Sequence, residues 1–212
     1  MQSAQLPDHI VYSPAVIEFV TVAAETCLFL EQATEQPRTD FILTAVKILP
    51  LLYLKAAVLQ IPETVFDDAT ERFVTEDDYL FVKEQVEQLL GADDSYLEVF
   101  HPDMALSDTP IAAFISEDLA DIYQEIKDFA ANYQTMDSDI MNDALVGCLE
   151  AFGAHWGQKN LNALKALHAI RYSDGFDKEE EVENASQKLN RNSFLQFLNN
   201  DEDENEIDKL LY

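Results

Sequence analysis

Apolar residues recur at helical spacing along most of this chain. After Ser13-Pro14, the residues Val16, Phe19, Val20, Ala23, Cys27 and Leu30 share one helix face, with Glu18 and Glu25 opposite. Ser is a favoured N-cap and Pro a favoured first helical residue. A helix is therefore predicted from there to about Ala33, before Gln36-Pro37. A second begins at Thr39-Asp40 and is apolar almost all round, which implies burial on most sides. Pro50 lacks an N–H, so a kink or break is predicted, with pieces over about 40–49 and 51–60. Residues 63–74 read as a connection holding one short turn of helix. Thr75 and the acids Glu76 to Asp78 open the next helix. Its stripe is Tyr79, Val82, Val86, Leu89 and Leu90, and Gly91 stops it.

Residues 92–115 are the least regular, with Pro102 and Pro110 among several acids; a short helix over Tyr96–Phe100 would halve this stretch. Ser116 to Asp118 start the clearest helix, with Leu119, Ile122, Tyr123, Ile126, Phe129 and Tyr133 on one face. Another helix is predicted from Ser138 to about His155, ended by Trp156-Gly157, and a last one over about Gln158–Tyr172. No strand-like alternation is long enough to predict a sheet. Beyond Asp174-Gly175 the composition shifts to acid runs at 178–183 and 201–206, around a cluster of Phe194, Leu195, Phe197 and Leu198. The predicted fold is all-α: a bundle of six or seven helices with the Phe41–Ile61 helix at its centre. The organisation is an N-terminal arm over 1–12, a helical domain over 13–173, and an acidic extension over 174–212 docked in part on the domain.

Charge narrows the partners. The net charge is -28, yet 48% of the residues are hydrophobic, so the acids clothe a folded chain and do not form a disordered tract. Such a surface repels phosphate backbones and anionic bilayers, and no Lys/Arg cluster offsets it. A basic protein surface is the expected partner, with no direct nucleic-acid or membrane binding. Residues 41–61 approach bilayer-spanning length. However, Lys47 and Lys55 would each cost about 2.5–3.5 kcal/mol at the membrane centre, and Pro50 interrupts the segment. No secretory leader is visible in the first residues. Cys27 and Cys148 read as two reduced core thiols. A cytoplasmic location is expected.

The candidate chemistry is sparse. Asp118, Asp121, Glu125 and Asp128 share one side of their helix, a spacing that can line up metal-binding carboxylates. The apolar stripe lies on the other side, so they are predicted to form a solvated face. The four histidines have no metal-ligand spacing. Cys148 and His155 lie about 10 Å apart along a helix axis, too far for a nucleophile and base. The irregular stretch gathers binding-site residue types, and a candidate site is assembled from Tyr96, His101, Asp103, His155 and Trp156. No cofactor or resident metal is implied.

The stretches at 96–129 (YLEVFHPDMALSDTPIAAFISEDLADIYQEIKDF), 16–31 (VIEFVTVAAETCLFLE) and 155–171 (HWGQKNLNALKALHAIR) resemble the bacterial domain of unknown function 5063 family. The similarity covers most of residues 10–172. It implies an all-helical cytoplasmic protein with no established activity, so no functional residue carries over. Two function classes follow from the residues themselves. The first is a non-catalytic interaction or adaptor domain for a basic partner, with a DNA mimic as a variant. The second is a divalent-metal-dependent hydrolase using carboxylates of residues 93–128. The first is favoured, because the acids lack convergent geometry.

Overall fold

The computed structural model describes residues 9–98 and 111–183. Contacts divide the chain into two units, Met1–Arg171 and Tyr172–Tyr212. In the second unit, residues 176–183 are helical. The aromatic cluster of the extension, and with it the docking expectation, lies outside the described residues. Part of the predicted arm is folded: Ile10–Tyr12 forms a 3-10 turn, Val11 is fully buried, and the Val11 carbonyl accepts from the Tyr133 hydroxyl at 2.6 Å.

Among its described residues the first unit is all-α apart from one short antiparallel pair of strands. Its helices are α1 (Pro14–Glu31), α2 (Arg38–Ala57), α3 (Glu76–Leu90), α4 (Ile115–Tyr133), α5 (Ser138–Ala151) and α6 (Gly157–Arg171). Local chemistry sets two of the starts as predicted. The Ser13 hydroxyl accepts from the Val16 N–H ahead of Pro14, and Thr75 with Asp78 forms a reciprocal capping box. The start of α4 is different. Asp94, from the segment before the hairpin, accepts from the Ser116 N–H at 2.8 Å and the Ser116 hydroxyl at 2.7 Å. A carboxylate distant in sequence thus caps the positive end of this helix.

Four expectations are corrected. The described part of the predicted helix over Tyr96–Phe100 is not helical: Ser95–Glu98 is strand β1, antiparallel to β2 (Ile111–Phe114), with Tyr96 opposite Ala113. Pro50 does not split α2, which is continuous from Arg38 to Ala57. The loss of one backbone bond is tolerated at this exposed position. Trp156-Gly157 does not end a helix; α5 and α6 join through a π-helical turn, Phe152–Trp156, into one unbroken rod. A Cβ at Gly157 would lie 2.5 Å from the Phe152 carbonyl oxygen and 2.9 Å from its ring, so glycine is what admits the wider turn.

The centre is α4, not α2. Helix α4 packs against α1, α3, α5 and α6, whereas α2 packs against α1 and α6 and turns one side outward. Leu119, Ile122 and Ile126 are fully buried, and so is Leu52 on the inner side of α2. Leu51, Leu54 and Val58 on its outer side are 42–60% exposed. Both cysteines are free and buried, as expected of core thiols, and burial pushes the Cys27 thiol up to about 12.

Candidate functional site

The acid row on α4 is the largest departure from the sequence reading. Asp118 and Asp128 are buried, and Asp121 and Glu125 are half-buried. The row is covered because other elements bring donors to it. Asp118 accepts from the Tyr96 hydroxyl of β1 and pairs with Lys159 of α6 at 3.0 Å. Asp121 accepts from the Tyr79 hydroxyl of α3 at 3.0 Å and lies 3.3 Å from Lys159 and 3.6 Å from His155. Glu125 and Asp128 share Arg72, each at 3.1 Å. Helical periodicity ranked this side as the polar one. It could not reveal that distant donors would bury it.

These contacts decide the placement of the candidate residues. Tyr96 and His155 meet the same α4 segment, through Asp118 and Asp121 respectively. Trp156 is core: it is fully buried, donates its indole N–H to the Cys148 carbonyl at 2.9 Å, and packs on Phe152. His101 and Asp103 lie outside the described residues. Burial drives the Asp118 carboxyl above its ordinary value, while Tyr96 and Lys159 pull it back down. Burial also raises the Tyr96 and Tyr79 hydroxyls, and the Asp partner of each adds to the rise. Burial works against the Lys159 charge, but Asp118 and Asp121 outweigh it and hold that amine above its usual value. This cluster ties β1, α3 and α6 to α4. Every carboxylate oxygen in it has a donor or cation beside it. Among the described residues no three His, Cys, Asp or Glu are placed to share a metal ion.

A second feature escaped the sequence reading. Residues 62–75 contain no helix and cross the outside of α4 and α5 as a strap. Two carboxylates hold it. Asp143 of α5 accepts from the Val65 N–H at 2.8 Å and the Phe66 N–H at 2.7 Å. Asp128 accepts from the Phe73 N–H at 2.6 Å and the Val74 N–H at 2.8 Å. A neighbouring asparagine reinforces each clamp: Asn142 donates to the Glu63 carbonyl at 2.7 Å and Asn132 to the Glu71 carbonyl at 2.8 Å. Asp143 sits below the ordinary carboxylate value. Burial, the largest influence, opposes this, and the two strap amides with Asn142 overcome it. The sequence signal was present in Asn142-Asp143, a polar pair flanked by apolar residues, whereas Asp128 gave none, since it falls on the polar side of α4.

Between the clamps the strap roofs an open groove of about 250 Å³. Phe66, Phe129 and Cys148 supply apolar wall, and Asp67, Asp68 and Glu150 supply exposed acid. Its single cation, Arg72, is already spent on Glu125 and Asp128.

The fold and this site define a small, acid-rich, mainly helical domain with a strap pinned over an acid-lined groove. The chain belongs to the DUF5063 family, a domain of unknown function whose profile matches residues 10–173. It is similar to a solved structure, protein BF1032 from Bacteroides fragilis, at 45% identity and a TM-score of 0.70. That match covers 78% of this chain and 97% of the other. No curated protein matches the chain. Among the described residues no helix is long and apolar enough to cross a membrane.

Proposed function

We propose that this chain is a non-catalytic protein-interaction domain, and that the groove beneath the strap receives Lys or Arg side chains of a basic partner. The observation that carries this reading is the pairing of apolar wall with unneutralised carboxylates. Asp67, Asp68 and Glu150 are exposed and face one groove, and its only cation is already paired. An ammonium or guanidinium group entering there gains carboxylate partners while its aliphatic stem covers Phe66 and Phe129. The net charge of -28 steers such a partner from a distance. The hydrolase alternative drew on carboxylates of residues 93–128, and those of α4 are already committed to Lys159, Arg72, two tyrosines and the strap amides.

The test is titration of the full chain with a twelve-residue peptide alternating Arg with Gly or Ser. Asp67→Asn, Asp68→Asn and Glu150→Gln together should weaken binding at least tenfold. Neutralising Glu25, Glu35 and Asp40, which are exposed elsewhere, should weaken it far less. Raising salt from 50 to 300 mM should also weaken it. Equal losses from the two triple variants would mean that diffuse charge alone binds the peptide, and the groove reading would fall.

A further inference from the structure

The strap has a second side. Where Asp128 clamps it, Arg72 faces the acidic groove, while the next residue, Phe73, faces another groove of about 250 Å³. Asp128 and Lys127 divide in the same way, so the two grooves are neighbours on either side of one strand of backbone. Their chemistry differs. In the second groove Glu31 accepts from Lys127 at 2.6 Å and from the Tyr123 hydroxyl at 2.8 Å, and its other carboxylate, Asp78, is engaged by the Thr75 N–H at 2.9 Å and the Thr75 hydroxyl at 2.7 Å, so both acids are already hydrogen-bonded within the fold. Its rim carries Phe73 and Phe81, which are 43% and 54% exposed. Val65, Phe66 and Leu80 on the strap and α3 are also well exposed. Exposed acids interleave with them, at Asp67, Asp68, Glu71, Glu76 and Asp77. One groove therefore suits a cation, and its neighbour suits an uncharged apolar group.

From this we infer that the partner segment is a basic amphipathic one, with cationic side chains in the acidic groove and an apolar anchor between Phe73 and Phe81. The inference rests on the function proposed above and adds the apolar half of the recognition. Apolar anchors at helical spacing, laid into a groove with charges alongside, are a recurrent mode of peptide capture. Charge complementarity selects the partner's sign. The second groove's floor, with its carboxylates already bonded within the fold, selects what enters it.

Two peptides of equal length and charge separate the ideas: the alternating Arg/Ser peptide, and one in which Ser is replaced by Leu at every fourth position. Fluorescence anisotropy with the full chain should show the Leu peptide binding about tenfold tighter or more, the gain expected when one large side chain is buried. Phe81→Ser, at an exposed position that leaves the fold intact, should remove most of that preference without weakening the Arg/Ser peptide. Phe73→Ser should act in the same direction. Equal affinity of the two peptides for the unmodified chain, or a preference that survives both substitutions, overturns the inference and leaves the acidic groove standing. Loss of neither peptide on neutralising Asp67, Asp68 and Glu150 instead overturns the function proposed above.

Discussion

Replacing Asp143 by Asn tests the strap directly. The carboxylate accepts two successive backbone N–H groups, from Val65 and Phe66, at 2.8 and 2.7 Å, and a third donor from Asn142 at 3.1 Å. The amide keeps the shape but has one acceptor oxygen. It turns an NH2 group toward one of the two strap amides, donor against donor. The loss is one charge-assisted bond, about 1.5–3 kcal/mol, plus weakening of the other. Water reaches the exposed strap and compensates in part, so about 2–3 kcal/mol is expected locally. At 1.4 kcal/mol per factor of ten, that is an acceleration of about 30–150-fold in hydrogen exchange at the Val65 and Phe66 amides. Phe73 and Val74, held by Asp128, should keep their protection. Acid should mimic the substitution. The folded-state carboxyl titrates below its unfolded value of about 3.9, so the clamp is fully present above that pH and is lost as pH falls through the lower folded value. Unchanged exchange at Val65 and Phe66, or equal loosening of Phe73 and Val74, would refute the picture of two independent clamps.

Three further outcomes follow from the packing. Lys159→Met leaves Asp118 buried without its cation, and the loss at pH 7 should be near the lower end, about 3 kcal/mol, of that for breaking a buried pair. Because the Asp118 carboxyl is already raised, its proton stabilises the fold at low pH and that help fades as pH rises. The defect should therefore shrink as the pH is lowered in denaturant titrations, and a pH-independent loss would count against it. Gly157→Ala forces a Cβ against the Phe152 carbonyl and ring, so a loss of about 1–3 kcal/mol and an altered near-UV signal from Trp156 are expected. An unchanged melting curve contradicts the close approach. On α2, Leu52→Asp should unfold the protein while Leu54→Asp, 57% exposed, should melt as the parent does; similar behaviour of the two would mean the inner face is misassigned.

Several elements were legible because their causes are local. Ser13-Pro14 and the Thr75/Asp78 box carry their own capping chemistry, so α1 and α3 begin where the residues say. The π-helical turn was not legible, because a glycine after a tryptophan resembles a stop until the Phe152 carbonyl is seen against it. The hairpin was missed because four-residue strands carry too few alternations to stand out. Of the candidate site, the structure places Tyr96 and His155 on one carboxylate-lined segment and Trp156 in the core.

By itself the sequence determined the helical class, the starts of α1 and α3 and the acidic character, since these depend on residue type and on neighbours within a few positions. Tertiary structure alone decided which helix lies at the centre and what the acids do. Periodicity can say that one face of α4 is more polar than the other. Whether that face meets water or buried donors depends on Arg72, Tyr79, Tyr96 and Lys159, which reach it from elsewhere in the chain. A carboxylate becomes a clamp only when such donors arrive, and no local rule encodes their arrival.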